Sequence, residues 1–119
     1  MINWHLADYY LALKNPQRAI EILDSNIFDV ETNQYQALII KFYDLLAQSH
    51  LALKSYSEAE WYAQKLLNTE EQHRYQSAIT DASKVLTELN EYQNNYEQAF
   101  FYYKKYSESN KIELDQKSD

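Results

Sequence analysis

Residues 46–59 read LAQSHLALKSYSEA, and residues 6–19 read LADYYLALKNPQRA. Leu6, Ala7, Leu11, Ala12, Leu13, Lys14 and Ala19 return as Leu46, Ala47, Leu51, Ala52, Leu53, Lys54 and Ala59, each displaced by 40 residues. A third, more diverged copy, LTELNEYQNNYEQA, runs over 86–99, where Leu86 and Ala99 hold the places of Leu46 and Ala59. Self-similarity at such a spacing marks an array of supersecondary units that bury their apolar faces against one another.

The composition narrows what the units are. The 119 residues contain no glycine and a single proline, which argues against tight hairpins, bulges and phosphate-cradling loops. The length is one domain's worth of chain, and 45% apolar residues can form a packed core if their spacing cooperates, so an all-helical domain is expected. Eighteen acidic against eleven basic residues give a net charge of −7, which repels a phosphate backbone, so nucleic acid is not an expected partner. The absence of cysteine removes disulfides, thiol catalysis and cysteine metal sites together. It is neutral as to compartment, because a helical array needs no crosslinks. No run of about 20 apolar residues appears, and the start MINWHLADYY lacks the basic and apolar regions of a signal peptide. The chain as given therefore reads as soluble. A cytoplasmic location is the default, and a periplasmic one follows if the chain belongs to a membrane-bound sensor.

Apolar spacing predicts a first helix over 2–14, with Ile2, Leu6, Tyr9, Tyr10 and Leu13 inward. Asn15 then Pro16 is a cap followed by a favoured first helical residue, so a second helix starts there, carries Ala19, Ile20, Leu23 and Ile27 inward and ends near 28–30. A long helix over about 32–53 follows, with Tyr35, Leu38, Ile39, Phe42, Leu45, Leu46 and Leu53 on its apolar face. The remaining helices are expected over 57–68, about 71–93 and 96 to about 110. Ser55 with Glu58, and Asn95 with Gln98, have the spacing of capping boxes. Tyr35, Gln36 and Ile39 recur as Tyr75, Gln76 and Ile79, which carries the register ten residues further back. The units are accordingly about 1–30, 31–69 and 70–110, with 111–119 a charged tail or the start of a linker helix. The register would begin a fourth unit at Lys111, so the chain is expected to be a piece of a longer array or protein.

The pattern Leu46, Ala47, His50, Ser55, Tyr56 and Ala59, echoed by Leu86, Thr87, Asn90, Asn95, Tyr96 and Ala99 and then YEQAFFYYKKY, resembles the tetratricopeptide repeat. The resemblance covers nearly the whole chain. It implies an all-α right-handed superhelix of three antiparallel helix pairs, with Ala7, Ala47, Ala19, Ala59 and Ala99 where paired helices cross. It departs from the family in its period of 40 against the usual 34 or so, in Thr87, and in Pro16 at an aromatic's place. Armadillo- or HEAT-like repeats remain the alternative. The string YEQAFFYYKKYSESNKIELDQK is similar to the end of tetratricopeptide segments that precede a coiled helix and output domain in bacterial signalling proteins, such as diguanylate cyclases and sensor histidine kinases.

What the family implies is a non-catalytic interaction module whose first helices line a concave peptide groove. Carried onto this chain, the groove residues are Trp4, Asp8, Leu11, Lys41, Asp44, Gln48, Asp81, Lys84, Glu88 and Glu91. Five are acidic and two basic, and the lysine and asparagine that clamp acidic chaperone tails are missing near Trp4 and Asp8. A basic or amphipathic segment is the expected ligand, set against a plain solvated face. Trp61 and Phe101 stand where Glu21 stands in the first unit. They are candidates for a convex interface, with a homodimer or another part of a signalling enzyme as partner, unless the neighbouring helices cover them. Tyr102, Tyr103 and Tyr106, beside Lys104 and Lys105, are read as core rather than as a base-stacking platform. His5, His50 and His73 share no i, i+4 spacing, so no zinc site is expected. No catalytic constellation and no cofactor site is legible.

Overall fold

A computed structural model describes residues 4–33, 35–68 and 76–117, apart from the Lys117 side chain. Among them are six helices and no strand: α1 His5–Ala12, α2 Pro16–Thr32, α3 Gln36–Ala52, α4 Tyr56–Leu67, α5 Gln76–Tyr92 and α6 Tyr96–Lys117. Each helix packs against its neighbour in sequence, and α3 also touches both α1 and α5. Ile2, Glu70, Glu71, His73 and Tyr75 lie outside the described residues, as do the expected beginnings of the first and fifth helices.

Within each unit the two helices are joined by the same turn. Lys14, Lys54 and Asn94 have φ of 61°, 61° and 62°. The next residue's amide, that of Asn15, Ser55 or Asn95, donates to the carbonyl of Tyr10, His50 or Asn90 at 2.8 Å each time. Lys14, Lys54 and Asn94 themselves donate to Leu11, Leu51 and Glu91. This pair of bonds is the Schellman motif, which satisfies the last carbonyls of the first helix. The left-handed residue is usually glycine because a Cβ crowds the following carbonyl, at roughly 1 kcal/mol or more. With no glycine in the chain, two lysines and an asparagine bear that strain.

Backbone bonds therefore carry more of the turn than the expected caps do. Asn15 Oδ1 accepts from the Arg18 amide at 3.3 Å, but Ser55 makes no side-chain cap bond, so the Ser55 and Glu58 capping box does not form.

Other boundaries also moved. α2 runs on to Thr32, taking residues expected to open the third helix. α6 passes 110 and continues to Lys117, since neither glycine nor proline follows Tyr96 and its last stretch is rich in helix formers.

Ala7, Ala19, Ala47 and Ala59 are fully buried and Ala99 nearly so, in keeping with close approach of the paired helices. Thr87, at the place of Ala7 and Ala47, returns its hydroxyl to the Ser83 carbonyl at 2.7 Å. The core forms two layers. One joins the first and second units through Leu23, Val30, Phe42, Leu45 and Leu46. The other joins the second and third through Ala63, Leu66, Val85, Leu86 and Leu89. Tyr62 and Ile27 pack against both. Between α5 and α6 a buried polar clasp adds direction: Ser109 Oγ lies 2.6 Å from Gln76 Nε2 and 2.7 Å from Thr80 Oγ1.

Several residues expected inward are exposed instead. They are Leu6, Tyr9 and Leu13 on α1, Tyr35 and Leu53 beside α3, and Tyr103 on α6. Their spacing is that of a buried face, but in α1 and α6 that face has no neighbour among the described residues to bury it.

Candidate functional site

α1, α3 and α5 share contacts through α3 and border a depression of about 380 Å³. Of the ten groove candidates, Leu11, Gln48, Asp81, Lys84 and Glu88 line it. Trp4, Asp8, Lys41, Asp44 and Glu91 do not. Leu51, Ala52, Lys54, Val85 and Tyr92 line it as well and were not foreseen. The signal for two of them was present: Asp81, Lys84, Val85, Glu88 and Tyr92 stand at i, i+3, i+4, i+7 and i+11 on one helix. Leu51 repeats Leu11, and Lys54 is the left-handed residue of the second turn. Leu11, Leu51 and Val85 supply an apolar floor, while Asp81, Glu88, Lys84 and Lys54 supply charge.

Beside the depression lie two acidic residues from different helices. Asp44, on α3, is buried, and its Oδ1 accepts from Gln48 Nε2 at 2.7 Å. Asp81, on α5, meets it carboxyl to carboxyl. Burial first, then the hydrogen bond and negative charge of Asp44, push Asp81 up to about 8, while Lys41 and Lys84 pull the other way. The negative charge of Asp44 disfavours a second carboxylate beside it, so Asp81 keeps its proton near neutral pH. The reading of these residues as a plain solvated face therefore does not hold for Asp44 and Asp81. Lys41 is directed elsewhere, its Nζ 4.5 Å from the Trp4 ring centroid, and the Trp4 ring stacks on His5 at 3.7 Å. Asp81 becomes anionic where an incoming cation favours its ionised form.

Trp61 and Phe101 are both more than half exposed, so the neighbouring helices do not cover them. Each is instead turned edge-to-face onto the following tyrosine, at 4.9 Å for Trp61 on Tyr62 and 5.0 Å for Phe101 on Tyr102. Each also lies under the lysine four residues on, Lys65 at 4.1 Å and Lys105 at 5.9 Å. Trp61 borders a second depression of about 310 Å³ with Tyr56, Ser57, Glu60, Gln64 and Gln93. Tyr102, unlike Tyr103, is partly buried, and its hydroxyl accepts from Gln64 Nε2 at 2.9 Å.

Of the histidines, His50 stacks on Tyr62 at 5.8 Å. Burial lowers its pKa, and the charges of Glu58 and Asp24 oppose that shift. No group of three or more potential metal ligands occurs among the described residues, and no described helix is long and apolar enough to cross a membrane. No family model matches the chain, and comparison with curated proteins and with solved structures finds no significant similarity.

Proposed function

We propose that the chain is a tetratricopeptide-like superhelix of three antiparallel helix pairs that binds a basic or amphipathic peptide or protein segment, with no catalysis of its own. The observation that carries this reading is the depression along α1, α3 and α5. It combines an apolar floor with walls that carry Asp81 and Glu88 beside Lys54 and Lys84, which suits an amphipathic helix or extended segment whose apolar side chains meet the floor and whose basic ones meet the two acids. A cationic side chain there would meet Glu88 and Asp81. Binding would then favour the ionised form of Asp81, so affinity rises with pH up to about 8.

Fluorescence polarisation with a labelled leucine- and lysine-rich amphipathic peptide tests this. Glu88→Lys with Asp81→Asn weakens binding at least tenfold, and hydrogen exchange slows at Leu51 and Val85 when peptide is added. Unchanged affinity in that double variant, in a protein that still melts cooperatively, removes the groove reading.

A second reading rests on the exposure of Trp61 and Phe101: a sensory or oligomerising segment of a bacterial signalling enzyme, contacting its parent protein through the α4 and α6 faces. It places protection at Trp61 and Phe101 with no peptide present, and none at Leu51.

A further inference from the structure

The 40-residue register shows what each end of the array looks like when it is covered. At the α2–α3 and α4–α5 junctions, the second helix of one unit presents Leu23 or Ala63, and the first helix of the next presents Leu45 and Ser49, or Val85 and Leu89. All six are buried. The same positions on α6 and α1 are Tyr103 on one side and His5 and Tyr9 on the other, all exposed. The chain thus carries one half of this junction at each end.

Two details show that the halves suit each other. Tyr56 of α4 stacks on Tyr92 of α5 across the inner junction, with ring centroids 6.0 Å apart. The equivalent of Tyr56 is Tyr96, and the equivalent of Tyr92 is Ala12, whose short side chain leaves room for the ring. Glu60 and Gln93 border the same depression at the inner junction. Their equivalents are Phe100, 61% exposed, and Leu13, 58% exposed. A polar pair has become an apolar pair on both sides at once.

We propose that the protein associates head to tail with a second copy, the outer face of α6 in one molecule seating on the outer face of α1 in the next and repeating the internal junction. The contact is heterologous, so it does not close on itself and growth continues beyond a dimer as concentration rises. The net charge of −7 opposes it, so added salt strengthens it. Trp61 takes no part, so protection at Trp61 marks the second functional reading and not this contact.

Sedimentation velocity from micromolar to millimolar chain provides the test. The unaltered protein should show a weight-average mass that climbs past the dimer, more steeply at high salt. Phe100→Glu and Leu13→Glu should each hold the chain as a monomer. Both positions are exposed, so the melting midpoint should stay unchanged in each variant. Mixing the two variants should restore association and stop it at one of each, because Leu13→Glu keeps an intact α6 face and Phe100→Glu an intact α1 face. A monomer at every concentration overturns the proposal. So does association that survives Leu13→Glu, which would mean a symmetric α6–α6 contact, and so does a mixture that stays monomeric.

Discussion

α4 and α6 occupy the same register and differ in their neighbours. α4 lies between α3 and α5, whereas α6 packs mainly on α5 and touches α4 at its edge, where Tyr102 meets Gln64. Ala63 is therefore 0% exposed, and Tyr103, forty residues on, is 53% exposed. Trp61 and Phe101 make the opposite point: both are exposed and both lie under a lysine of their own helix, so that face belongs to the helix and not to its position in the array. Side-chain geometry within a turn of helix repeats faithfully, while burial is set by what packs on top.

Four substitutions sharpen the contrast. Ala59→Arg should cost the most, on the order of 3–5 kcal/mol, because it overpacks a helix crossing and buries an unpaired charge. Ala99→Arg should cost less, since α6 is free to tilt away on its outer side. A thermal melt of each variant reads the difference, and an unchanged midpoint in Ala59→Arg would remove the register on which the comparison stands.

Copying the end residue inward, Ala63→Tyr, should cost about 1–3 kcal/mol by overpacking. The converse, Tyr103→Ala, should fall within about 0.5 kcal/mol because the ring is exposed. Urea titration measures both. Equal costs would mean that α6 is covered after all.

The carboxyl pair belongs to α3 and α5 and should respond to pH. Asp81 stays protonated in the folded chain up to about 8 but ionises near 4 when unfolded. The folded state therefore holds the extra proton between those values, and stability falls as pH rises through the window. In Asp81→Asn that fall disappears, with a gain of about 2 kcal/mol at pH 9 after discounting for solvent in the depression. Melting midpoints from pH 5 to pH 9 follow it, and parallel curves for the two proteins would dismiss the raised pKa of Asp81.

The smallest effect concerns the turn that all three units keep. Lys54→Gly should stabilise by about 1 kcal/mol through relief of the left-handed backbone, and Asn94→Gly by only a few tenths, because asparagine tolerates that conformation. Chemical denaturation resolves the two if the strain is real.

Much of this molecule was legible in its residues. The repeated alanines lie at buried helix contacts, and half of the groove candidates converge on one depression, because both depend on spacing along a single helix and on identity between units. The left-handed residues were not foreseen, since lysine gives no hint of positive φ. The Schellman bonds show it only once the backbone is in place. The exposed tyrosines of α1 and α6 were misread for a related reason, as apolar periodicity says which side of a helix is greasy and not whether anything lies against it.

LAQSHLALKSYSEA by itself determined that the chain is helical, that it repeats every 40 residues, and where each pair of helices turns. Local spacing, small residues and the lack of glycine are enough for that. Only the tertiary structure decided that burial and Asp44 raise the pKa of Asp81 and that Phe100 and Leu13 stand uncovered. Both outcomes depend on distances between residues far apart in sequence, through low-dielectric surroundings or open solvent that no single helix creates.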